Sequence, residues 1–148
     1  MASAVAPLAL LVAVVNAVAA ALGAWRWARG LPPDAWFWRA VRAGQASAVV
    51  LAALAGVLAL AGRRPSAGLF WLYIALPLVV GLIAEQLRIA SAQAELDARG
   101  LPDAQAMRAL SDADQRAIVL GILRRELIVM TCACGVVVFL ALRAAATA

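Results

Sequence analysis

Four stretches of this chain each run for about twenty residues with almost no charge, and that pattern leaves few folds open. The first, 4–25, reads AVAPLALLVAVVNAVAAALGAW. The second, 40–62, contains ASAVVLAALAGVLALAG. The third, 68–88, is GLFWLYIALPLVVGLIAEQLR, and the fourth, 123–143, surrounds LIVMTCACGVVVFLAL. A hydrocarbon core of ~30 Å is crossed by about 20 helical residues. Lipid offers the backbone no hydrogen-bond partners, so segments of this length cross it as helices. The expected fold is all-α: an integral membrane four-helix transmembrane bundle forming a single domain, 1–148. A cytoplasmic helical hairpin extension, about 89–122, is expected between the third and fourth helices.

Composition points the same way. Of 148 residues, 66% are hydrophobic and 14% charged, against about 45–50% and ~25% in soluble domains. A chain this short has no compact core large enough to hide that much apolar surface. The first stretch lacks the basic N-terminal flank of a secretory signal and is followed by arginines, so it reads as a retained span.

Arginine bias sets the expected orientation. Arg26, Arg29, Arg39 and Arg42 flank the first connection. Arg88, Arg99, Arg108, Arg116, Arg124 and Arg125 flank the third, and the other side carries only Arg63, Arg64 and Arg143. The first and third connections are therefore expected in the cytoplasm, in a multi-pass cell-membrane protein with both termini outside. Trp25, Trp27, Trp36 and Trp38 fall at the same inner boundary, as an aromatic belt would.

Local signals refine the connections. Asp34 suits a helix N-cap. Gly100 is placed as a C-terminal cap for a third helix that continues past Arg88. The stretch from Pro102 reads as a short helix. Ser111 to Asp114 resembles a capping box at the start of the fourth helix. For packing, small residues at four-residue spacing are the expected close contacts: Ala13, Ala17 and Ala21 in the first span, Ala48, Ala52 and Gly56 in the second. Asn16 is expected to hydrogen-bond across helices, and Pro77 to kink the third.

Chemistry-bearing residues are few. The chain has no histidine, which removes the commonest general acid/base and the usual haem and zinc ligand. Cys132 and Cys134 are two apart on a helix, so they point to nearly opposite faces and suit neither a disulfide nor a shared metal. No phosphate-binding loop, dinucleotide fingerprint, metalloprotease helix or serine nucleophile elbow is present. No cofactor is expected, and the reading leans away from an enzyme. The acidic residues Glu95, Asp97, Asp103, Asp112 and Asp114 read as a solvated face.

What remains is the charge at the inner boundary. A hairpin turning near residue 105 sets Glu85 level with Arg125 and Glu126. Arg39, Arg42 and Gln45 fall along one side of helix two. Arg26, Arg39, Arg42, Arg88, Arg124 and Arg125 outnumber Glu85 and Glu126. The candidate ligand-binding set is therefore Arg39, Arg42, Gln45, Glu85, Gln86, Arg88, Arg124, Arg125 and Glu126, with no catalytic and no metal residue.

The leading expectation is a non-enzymatic accessory or assembly subunit whose arginine cluster binds anionic headgroups of the inner leaflet or a partner protein. The alternative is a small oligomeric transporter or channel with a polar site around Glu85 and Arg124/Arg125. Nucleic acid is not an expected partner, because the arginines border apolar segments. A homo-oligomer or a membrane partner protein remains open.

Overall fold

The computed structural model describes residues 2–65, 68–102 and 105–148, except the side chains of residues 2 and 3. It contains four α-helices: α1 (Ala2–Ala28), α2 (Ala35–Leu60), α3 (Phe70–Asp97) and α4 (Asp112–Thr147). One 3-10 turn, Ala106–Ala109, precedes α4. All four α-helices are long and apolar enough to cross a membrane, which is compatible with an integral membrane protein.

The helix ends follow local chemistry. Asp34 caps α2 by accepting a hydrogen bond from the Phe37 N–H at 2.9 Å. Ser111 caps α4, accepting from the Asp114 N–H at 3.3 Å. The Asp114 carboxylate accepts from the Ser111 hydroxyl at 2.6 Å, so the reciprocal bond goes to the side chain and not to the backbone. Gly100 ends α3 at φ +68. The Leu101 N–H reaches Leu96 O and the Gly100 N–H reaches Asp97 O, both at 3.0 Å, the pairing of a Schellman cap. The short helix expected from Pro102 is reduced to the 3-10 turn, with residues 103–104 outside the described set. α3 runs unbroken through the buried Pro77.

The helices run up, down, up and down. α1 packs most closely on α4, α4 also on α3, and α1 also on α2; among these neighbouring pairs α2 and α3 meet least closely, and the diagonal pairs barely touch. The burial pattern explains the pairing. α1 buries Val5, Ala9, Val12, Asn16, Ala19 and Gly23, in steps of four and three. α2 buries Phe37, Val41, Gly44, Ala48, Leu51 and Ala55 in the same rhythm. α4 follows it from Leu127 through Met130, Cys134, Val137 and Ala141 to Ala144. A repeat averaging 3.5 residues keeps one seam of each helix facing its partners along its length.

This seam corrects the expected alanine stripes. Ala13 and Ala48 are buried, but Ala17 and Ala21 are exposed, and a side chain at Gly56 would meet nothing within 4 Å. Steps of four rotate about 40° each at 3.6 residues per turn, so such a stripe leaves the interface within two turns. The close approaches lie elsewhere: Gly23 against Thr131 of α4, and Gly44 against the Asn16 amide. Asn16 donates to Val12 O of its own helix at 2.9 Å, and no interhelical hydrogen bond from it is present among the described residues.

Two apolar clusters fill the interior. One joins Val5, Val12, Leu51, Phe70, Ile74 and Val137; the other joins Ala19, Phe37, Val41, Ala84, Leu127 and Met130. Outside them, large apolar side chains such as Leu11, Val14, Val50, Val57, Leu82 and Phe139 stand about half exposed or more. They are spread over all four helices, a distribution compatible with a lipid surround.

Candidate functional site

Every described acidic side chain lies in the half of the bundle toward the α1–α2 and α3–α4 connections. All but three of the 13 arginines lie there too. Charge in this part of the chain is organised helix pair by helix pair.

At the α1–α2 turn, Arg26 donates to the Asp34 carboxylate at 2.6 Å and to Pro32 O at 2.7 Å. Asp34 thus caps α2 and holds the end of α1 with one carboxylate. Between α2 and α3, Glu85 is the centre. It accepts from Arg42 at 2.6 Å, from Gln45 at 3.0 Å and from Arg88 at 3.0 Å. Arg42 also donates to Gln45 at 2.7 Å, and the Arg88 guanidinium lies 5.3 Å from the Trp38 ring centroid. This polar cluster spans the neighbouring pair of helices with the least close packing.

Between α3 and α4, Glu95 takes the same role. Arg99 of its own helix approaches at 3.2 Å and Arg125 of α4 at 3.2 Å. Its carboxylate packs so tightly on Gly121 that an added Cβ there would sit 2.7 Å from Oε1. The last neighbouring pair, α4 and α1, is joined by Arg124 donating to Gly30 O at 3.4 Å. Each neighbouring pair of helices is therefore tied at this end by its own polar contact.

The predicted residues divide accordingly. Arg42, Gln45, Glu85 and Arg88 come together as one group. Glu126 lies within electrostatic range of Arg88 and Glu85 but makes no direct ion pair among the described residues. Arg125 is not level with Glu85: it meets Glu95, and that pair is centred on Leu110, so the hairpin register is shifted from the expected turn near residue 105. Arg39 leaves the group to stack on Trp36, 5.1 Å from its ring centroid. Gln86 is exposed. Arg124 lies apart, beside Trp27, Leu31 and Leu127.

Comparison with known protein families, with curated proteins and with solved structures finds no match. The chemistry of the site is therefore read from its geometry alone.

Glu95, expected on a solvated face, is instead buried between α3 and α4. A signal for it exists. The α3 seam passes through Phe70, Ile74, Pro77, Gly81, Ala84, Arg88 and Ser91, and its next position is Glu95. A carboxylate on a buried seam needs a partner, and Arg99 one turn later and Arg125 supply it.

Beneath the polar contacts, Asn16, Gly44, Gln45, Pro77, Gly81 and Cys134 surround a space at the centre of the bundle of about 20 Å³. That is room for one water molecule and for no organic ligand. Among the described residues no cluster of ligating side chains suits a metal ion.

Proposed function

We propose that this chain is a non-enzymatic, multi-pass membrane protein, an accessory or assembly subunit. Its arginine-rich end faces the cytoplasm and holds anionic headgroups of the inner leaflet. One observation carries this reading. Arg29 lies 5.8 Å from the Trp25 ring centroid and Arg39 5.1 Å from that of Trp36, and both tryptophans are exposed. Neither arginine has an acidic partner among the described residues. A tryptophan at the headgroup level beside an uncommitted guanidinium is an interfacial anchor for a phosphate-bearing surface. The narrow central space speaks against a transport path through the single bundle.

The test is reconstitution into phosphatidylcholine vesicles with and without phosphatidylglycerol. The expected result is a higher melting temperature with the anionic lipid, an increment that Arg29→Ala/Arg39→Ala removes, and no proton or potassium leak. A leak above that of empty vesicles, abolished by Glu85→Gln, would replace this reading with the transporter.

Orientation has its own check. In a background with Cys132 and Cys134 replaced by Ala, Gln93→Cys is expected to resist a membrane-impermeant maleimide in intact cells and to react in inside-out vesicles. Labelling in intact cells would reverse the topology.

A further inference from the structure

The face of the α3–α4 pair that looks away from α1 and α2 carries a groove with a definite chemical gradient. Its apolar part lies between Val80, Ile83 and Leu87 of α3 and Ile128, Cys132 and Val136 of α4, with a volume of about 350 Å³. It continues, across the shared Leu87, Ile128 and Val129, into a second hollow of about 410 Å³ that reaches Ser91, Ala94 and Arg125. Small side chains make the depth: Ala84 and Ala133 in the apolar part, Ala90 and Ala94 toward Arg125. From Val80 to Ala94 the groove follows α3 for about 21 Å of helical rise. Half of a ~30 Å hydrocarbon core is about 15 Å, so the groove runs the depth of one leaflet and ends beyond it.

Among the described residues, Arg125 is the only charged side chain lining either hollow. It meets Glu95 through Nε, and its terminal nitrogens have no protein partner among the described residues. An apolar channel one leaflet deep that ends at a half-engaged guanidinium is complementary to one class of molecule, an anionic amphiphile.

We propose that this groove binds a single anionic phospholipid, one acyl chain lying between α3 and α4 and the headgroup phosphate on the terminal nitrogens of Arg125. The assignment of the lipid to the inner leaflet rests on the orientation proposed above; the groove itself does not. The bound lipid seals a cleft that side chains leave open, and its phosphate adds a contact to the Glu95–Arg125 pair. Lipid bound here is distinct from headgroups gathered by the Trp25–Arg29 and Trp36–Arg39 anchors, none of whose residues lines either hollow.

Native mass spectrometry in mild detergent tests it, with phosphatidylglycerol and phosphatidylcholine of identical acyl chains titrated in turn. One phosphatidylglycerol per chain is expected to be retained in preference to phosphatidylcholine. Arg125→Ala is expected to weaken phosphatidylglycerol about fivefold, the loss of one arginine–headgroup contact, without changing phosphatidylcholine. Arg99 still holds Glu95 in that variant, so the fold is kept. Cys132→Trp, at an exposed position, fills the channel and is expected to weaken both lipids.

Four outcomes would overturn the proposal. The first is equal retention of the two lipids. The second is phosphatidylglycerol binding that ignores Arg125→Ala and Cys132→Trp but falls in Arg29→Ala/Arg39→Ala, which leaves the headgroup anchors intact as the reading and removes the groove. The third is a dimer that Cys132→Trp dissociates, which makes a second copy of the chain the occupant. Excess inorganic phosphate is expected not to displace the lipid; displacement, the fourth, would make the site a free-anion site.

Discussion

Gly23→Ala is expected to destabilise the folded bundle by about 1–3 kcal/mol, the range for overpacking a filled interior. The added Cβ would sit 2.9 Å from Phe37 Cε2 and 3.0 Å from Thr131 Cβ, and closer still to the Thr131 hydroxyl oxygen. Neither neighbour has room to retreat. Phe37 is fully buried, and the Thr131 hydroxyl is committed to Leu127 O at 2.6 Å. Since α1 and α4 form the closest helix pair, separating them there strains the whole bundle. Adding Thr131→Ala is expected to recover part of the loss, because it removes the nearest atom and leaves the Phe37 contact. Gly56→Ala is the matched control. It meets nothing within 4 Å and exchanges a poor helix former for the best one, so it is expected to be neutral or mildly stabilising. Thermal unfolding in one detergent, followed by tryptophan fluorescence, reads all three. A Gly23→Ala protein that melts with the parent would show that the α1–α4 contact at Gly23 is not as close as described.

The contrast between Gly23 and Gly56 also measures how far the amino-acid sequence carries. Helix positions and caps are legible because they depend on neighbours along the chain: apolar run length gives the four helices, and the caps at Asp34, Gly100 and Ser111 bond across three to five positions. The arginine-rich end is legible for the same reason. The phase of the seam is harder. Alanine is abundant on every face of these helices, so a small-residue stripe at steps of four is found by composition alone, and Ala17 and Ala21 belong to one that faces outward.

Hairpin register is harder again. It depends on how the chain between Asp97 and Asp112 folds, and a 3-10 turn where a helix was expected changes the path length. Shifting the register moved Arg125 from Glu85 to Glu95. Glu85 found Arg42 and Gln45 on α2 instead, a pairing between helices 40 and 43 residues apart in sequence that no local rule supplies.

Removing both cationic partners of Glu95 is expected to cost far more than removing either. Arg99 and Arg125 are 39% and 48% exposed, whereas the Glu95 side chain is 11% exposed. A single pair with a partly exposed arginine contributes about 0–1 kcal/mol after solvent screening, so Arg99→Ala and Arg125→Ala are each expected to shift stability by no more than that. The double variant Arg99→Ala/Arg125→Ala leaves a carboxylate against Gly121 with neither guanidinium. Breaking a buried pair by stranding one charge costs on the order of 3–5 kcal/mol, reduced here because the carboxylate keeps some contact with water.

The expected result is a loss of about 3–4 kcal/mol in the double variant, beyond the at most about 2 kcal/mol that the singles sum to. The decisive variant adds Glu95→Gln. It keeps the shape, removes the stranded charge, and is expected to return most of the lost stability, since an uncharged amide costs much less to bury than an ionised carboxylate. Unfolding of the parent and these four variants in the same detergent closes the cycle. If the double loss equals the sum of the singles and Glu95→Gln restores nothing, then Glu95 is solvated after all and the α3–α4 hairpin is held by apolar packing alone.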